Sequence, residues 1–152
     1  MRHLASRGVL AVLTAFLAVT TISGAIFVVP TLPPDWLEGS VFSDYRIPAL
    51  ALGLVGVLAA IAFVAVIARP EVAGQPAILA GLAMVAFELV EIWVVGFSLI
   101  DYGPDEPFAW LQVGYIAAGV LTAAVGWALW LATADDRDRL ARTALGGAPA
   151  HR

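Results

Sequence analysis

Four stretches of this chain carry almost no polar side chains, and short polar segments separate them. They cover residues 8–29, 47–68, 76–100 and 108–133. Each reaches the length of about 20 residues that a helix needs to cross a bilayer's hydrocarbon core. The pattern therefore predicts four transmembrane helices. Pro48 and Pro76 fall at the starts of the second and third stretches, where a missing N–H costs a helix little. The links 69–75 and 101–107 are short, so the helices they join should be antiparallel neighbours. The 30–46 segment is the one longer loop. The expected fold is all-α, an antiparallel four-transmembrane-helix bundle. A tail from residue 134 follows, helical to about Leu145 and irregular beyond.

Within a bundle of this kind the inward face is marked by small and polar residues, because lipid and leucine are equally apolar. The second stretch shows such a stripe in Ala49, Gly53, Gly56 and Ala60. The third has Gly81, Met84, Glu88, Glu91, Val95 and Ser98, and the fourth Gln112, Tyr115, Gly119, Thr122 and Gly126. The first is less regular, with Thr14, Thr21 and Gly24 on one face and Thr20 and Ser23 beside it. A spacing near 3.5 residues predicts left-handed, near-antiparallel packing.

Glu88 and Glu91 are the only acidic or basic residues inside the four stretches. A carboxylate at bilayer depth costs roughly 2.5–3.5 kcal/mol on insertion scales, so two of them a turn apart need a physical reason. Counting inward from the ends of the stretches puts Glu91, Tyr115, Thr20, Thr21 and Gly56 in one layer. The same count puts Glu88 near Gly119 and Thr122, with the glycines of the second helix opposite the carboxyls. No basic side chain is within reach. Two neighbouring carboxylates repel in such a setting, so at least one should hold its proton and donate to its neighbour or to a carbonyl. The candidate binding residues are Glu88, Glu91, Gln112, Tyr115, Thr21 and Thr122. They fit either a proton or cation site or an interhelical hydrogen-bond clamp.

Composition agrees with a membrane protein: 61% of residues are hydrophobic and 13% charged, against about a quarter charged in soluble domains. Cysteine is absent, which removes disulfides and thiolate chemistry. His3 and His151 lie in the tails, so no histidine is available inside the membrane, and no metal site or cofactor is expected. The net charge of −4 gives no sign of a nucleic-acid partner. The arginines are unevenly placed. Arg2, Arg7, Arg69, Arg137, Arg139 and Arg142 flank one side, whereas Arg46 stands on the other among Asp35, Glu38, Asp44, Asp101, Asp105 and Glu106. Positive residues favour the cytoplasm, so both termini are expected there, in a bacterial cell membrane. The first stretch could serve as a cleaved signal, but it runs on through Ile26-Phe27-Val28-Val29, and retention is the better reading.

Trp110, Tyr102 and Phe108 near one end, and Trp127 and Trp130 near the other, fit interfacial aromatic belts. Trp93, opposite the glutamates, should meet lipid or another subunit. Trp36, Phe42 and Tyr45 in the long loop either anchor on the membrane or cover the bundle mouth, and anchoring is preferred.

The segment from Leu32 through Pro33-Pro34-Asp35-Trp36-Leu37-Glu38-Gly39-Ser40 to Phe42, Asp44-Tyr45 and Ile47-Pro48 resembles a loop of small four-helix membrane proteins of actinobacteria. Glu91, Gly96-Phe97, Leu111-Gln112, Tyr115 and Gly119 are similar to their third and fourth helices. The resemblance implies the same topology and an actinobacterial origin, and it carries no activity. Small multidrug transporters also have four helices and a membrane glutamate, but theirs lies in the first helix, where this chain has none. The expectation is thus a membrane protein whose acidic site binds a small molecule, a lipid or a proton, a small proton-coupled transporter being its narrower form. The alternative is an accessory subunit that pairs its Glu face with a membrane partner or a second copy. An enzyme ranks lowest, since two carboxylates alone make a weak catalytic signature.

Overall fold

The structure, a computed structural model, is described for residues 2–31, 37–38, 40–95 and 107–146. Its regular elements are four helices: α1 Arg2–Thr31, α2 Arg46–Ala68, α3 Gly74–Val95 and α4 Pro107–Gly146. All four are long and apolar enough to cross a membrane, and the described residues contain no strand. The candidate spans are Ala5–Phe27, Arg46–Ala68, Gly74–Val94 and Trp110–Asp135. The chain is therefore an all-helical, multi-pass membrane protein. Helix α4 continues past its span to Gly146. Residues 96–100, expected in the third helix, lie outside the described residues, and so do Trp36, Tyr102 and Ser98.

The helices form two hairpins, α1 with α2 and α3 with α4, whose internal contacts are the most extensive in the molecule. Contacts of α2 with α3 and of α1 with α4 join the hairpins side by side. Local chemistry sets the ends. The Asp44 carboxylate accepts a hydrogen bond from the Arg46 backbone N–H (2.9 Å), satisfying one of the donors a helix start leaves free. At the opposite end of the bundle, Arg7 Nη2 donates to the Val66 carbonyl (3.3 Å), one of the acceptors that the end of α2 leaves open.

Small residues let the first hairpin close. A Cβ on Gly56 would lie 2.7 Å from Thr21 Oγ1 and 2.5 Å from Ile22 Cγ1. One on Gly53 would meet the Ala25 Cβ at 3.4 Å. The glycines of α2 thus face α1 and do not face the carboxyls, contrary to the sequence-based expectation. Gly53 and Ala60 are only half-buried, and the buried face of α2 is Ala49, Val55, Gly56, Ala59, Ala62 and Val66. With α2 apolar all round, its sequence held little to orient it. Leu10, Leu17, Val66, Ala77, Ala80 and Met84 are among the fully enclosed core residues. Leu79, Leu82, Leu89, Val90 and Trp93 form an exposed stripe on α3, the face a bilayer would cover.

The second hairpin closes on glycine from both sides. A Cβ on Gly81 would strike the Gly119 carbonyl and come within 2.6 Å of the Ala123 nitrogen. One on Gly74 would lie 2.7 Å from the Gly126 carbonyl. These two rungs are seven residues apart on each helix and run in opposite senses, so they lock an antiparallel register. The seven-residue repeat keeps the seam along one side of both helices.

Candidate functional site

One more step of seven along that seam leads from Gly81 to Glu88 on α3, and from Gly119 to Gln112 on α4. The third rung therefore brings together two polar side chains where the first two bring together glycines. Glu88 is buried here, with 2% of its surface exposed, and Gln112 with 7%. Glu91, one turn along, is only partly buried. The Gln112 amide donates a hydrogen bond to the Glu91 carboxyl, and the two carboxyls are close enough to interact electrostatically. Glu88 differs from its neighbour in one respect. Its Oε2 is fully enclosed and has no hydrogen-bond partner.

Glu88, Glu91 and Gln112 are thus brought together as the stripe pattern predicted. Tyr115 lies one turn from Gln112 and turns toward α1, where its ring meets Phe16 at a centroid separation of 6.2 Å and an interplanar angle of 33°. This contact ties the two hairpins together at the edge of the site. Measured from it, Thr21 lies five residues along α1 and Gln112 three along α4, toward the same end of the bundle. At 1.5 Å per residue their levels differ by roughly 3 Å. Thr21 therefore belongs to the layer of the site.

Thr122 does not. It is ten residues from Gln112, about 15 Å along the helix, and level with the inner glycine rungs. The expected layer of Glu88 with Gly119 and Thr122 is corrected by the glycine register, which moves Glu88 level with Gln112. The hydroxyls are also committed differently than expected. Thr14, Thr21 and Thr122 are fully buried, and each Oγ1 donates to a carbonyl of its own helix, at 2.7 Å to Leu10, 2.6 Å to Leu17 and 2.7 Å to Ala118. Such back-bonding satisfies a threonine inside an apolar bundle without a second helix. The hydroxyl protons are not directed at the carboxyls.

No described side chain supplies a counter-charge. Arg7 is held at the far end by the Val66 carbonyl. The Arg46 side chain is 82% exposed and lies 3.7 Å from Asp44. Groups of three or more His, Cys, Asp or Glu able to hold a metal are absent among the described residues.

Two aromatic assignments change. Tyr45 is 7% exposed and Leu37 4%, so this part of the long loop packs on the bundle and is not spread on the membrane. Trp130 pairs with Trp127 (centroids 5.2 Å apart) and stands over Gly74, where an added Cβ would lie 2.6 Å from its own Cβ. It serves the α3–α4 hairpin besides any interfacial role. Sequence reasoning passed over Gly74, whose seven-residue spacing from Gly81 was the available signal. Trp93 is 86% exposed, on the face opposite the site.

Comparison with protein-family models, with curated proteins and with solved structures finds no match.

Proposed function

We propose that this chain is a multi-pass protein of a bacterial cell membrane whose third and fourth helices enclose an acidic binding site for a small ligand or a proton. The inward placement of Glu88, with an enclosed oxygen left unbonded, carries this reading. A purely structural clamp would use that oxygen, since an unsatisfied buried polar group costs about 1–3 kcal/mol. An accessory subunit would turn the group outward to a partner. An ionisable residue kept inside a membrane protein at such a cost is by default a functional one.

Dicyclohexylcarbodiimide, an apolar reagent for protonated carboxyls, tests the reading in native membranes. A mass adduct that is lost in Glu88→Gln or Glu91→Gln is expected. An unlabelled wild-type protein would mark the seam as closed and the clamp as the better description.

The proposal includes both termini in the cytoplasm, from the arginine distribution. The absence of cysteine makes single-cysteine labelling clean. A membrane-impermeant maleimide added to intact cells should modify Ser43→Cys and spare Glu71→Cys, two exposed positions at opposite ends of the bundle. The reverse pattern would invert the orientation.

A further inference from the structure

The acidic site lacks a complement among the described residues, and its chemistry narrows what that complement is. The two carboxyls of the third rung present oxygen, and the donor described beside them, the Gln112 amide, is given to Glu91. Glu88 offers an enclosed, unpartnered Oε2 and Glu91 a carboxyl held by one amide hydrogen bond from Gln112, while Thr21 sits against Gly56 of α2 with its proton spent on the Leu17 carbonyl. Nothing described nearby brings a positive charge: Arg7 and Arg46 are engaged at the two ends of the bundle, and Arg69 is exposed just past the end of α2. The unmet need is for a positively charged hydrogen-bond donor.

A metal ion is poorly served. Calcium takes six to eight oxygen ligands, and magnesium a near-ideal octahedron. The described site gives two carboxyls and an amide, on helices whose regular turns keep their carbonyls for their own N–H groups. An ammonium group needs far less. It is satisfied by two or three acceptors on one side and leaves its carbon substituents in apolar surroundings.

We propose that the Glu88–Glu91–Gln112 site takes a protonated amine carried on an apolar body. This rests on the binding-site reading above and names its ligand class. The graded burial of the pair fits a point of entry: Glu91 is partly open, and Glu88 lies one turn deeper at 2% exposure. An uncharged amine dissolved in lipid meets the acid form of the pair and accepts its proton. One O–H bond breaks and one N–H bond forms, leaving an ammonium–carboxylate pair. The total charge of the site is unchanged, so no net charge has to enter the membrane from water.

The experiment is protection of the carbodiimide reaction in phosphatidylcholine nanodiscs by N,N-dimethyloctylamine, a tertiary amine that forms no amide with an activated carboxyl. Octan-1-ol and octyltrimethylammonium are the controls. The first has the chain without the charge, and the second has the charge without an N–H. Dimethyloctylamine at roughly ten times its half-protecting concentration should slow adduct formation about tenfold, as the free fraction falls with 1 + [L]/Kd. Neither control should do so. Equal protection by either control, or none by the amine, overturns the amine assignment while a labelled wild-type protein still stands as a binding site. No adduct in the wild type at all defeats both readings. Labelling of Glu88→Gln and Glu91→Gln, each with the other carboxyl intact, locates the adduct even if one variant fails to assemble.

Discussion

Gly81→Leu is expected to be the most destabilising single change in this molecule. At that rung the α3 and α4 backbones are in contact, and even a Cβ would strike the Gly119 carbonyl and crowd Ala123. Overpacking a core usually costs about 1–3 kcal/mol, because flexible side chains give way. Here the opposing atoms are mostly backbone, so relief requires α3 and α4 to move apart. That separation would also open the Gly74–Gly126 rung beneath and the Glu91–Gln112 hydrogen bond above. The loss should reach the upper end of that range, read as a lowered unfolding midpoint in detergent micelles. Gly114→Leu supplies the control, because nothing lies within 4 Å of a Cβ at that position. Equal losses in the two variants would show that the seam does not set the hairpin.

The two glutamates should respond to the same substitution with opposite signs. Glu88→Leu removes an enclosed oxygen without a partner and puts a hydrocarbon of similar size in its place. Replacing an unsatisfied buried polar group by an apolar one is neutral or stabilising, by up to about 1–3 kcal/mol. Glu91→Leu removes the acceptor of the Gln112 amide, leaving a 7% exposed donor unpaired. Interhelical hydrogen bonds in membranes average only about 0.6 kcal/mol, but the orphaned amide adds its own cost, so a net loss of about 1 kcal/mol or more is expected. Reversible unfolding in mixed micelles measures both. Matching losses in both variants would mean that Glu88 has a structural partner after all, and that stability alone accounts for the pair.

The inward face of α3 was readable because Gly81, Met84, Glu88 and Glu91 repeat at three and four residues, and small or polar residues have only one useful side in lipid. The level at which that face meets α4 was misread. Counting from the ends of the apolar stretches assumes that two helices begin at equal depth, and nothing physical enforces that. Backbone contact between glycines does enforce a register, and the spacing of Gly74, Gly81 and Glu88 mirrors that of Gly126, Gly119 and Gln112. The chain therefore contained the better ruler. The fate of the threonine hydroxyls was not readable. Thr21 and Thr122 have equal access to their own carbonyls and to a neighbouring helix, and only packing decides between them. Tyr45 posed the same ambiguity, because an aromatic residue at a helix start can turn toward lipid or toward the bundle with one rotation about χ1.

The pairing of the helices also bears on how the protein enters the bilayer. Of the four spans, α2 is the most apolar, and α3 and α4 are less so. Emerging alone from the translocon, α3 would present two carboxyls to hydrocarbon, and α4 an amide. Their polar groups lie on the faces that the glycine rungs bring together, and α4 follows α3 closely in the chain. The α3–α4 hairpin is thus suited to partition as one unit, its acids already shielded when it leaves the channel. The glycines that draw these helices together would then serve biosynthesis as well as the finished fold, by covering the two acids as the hairpin forms.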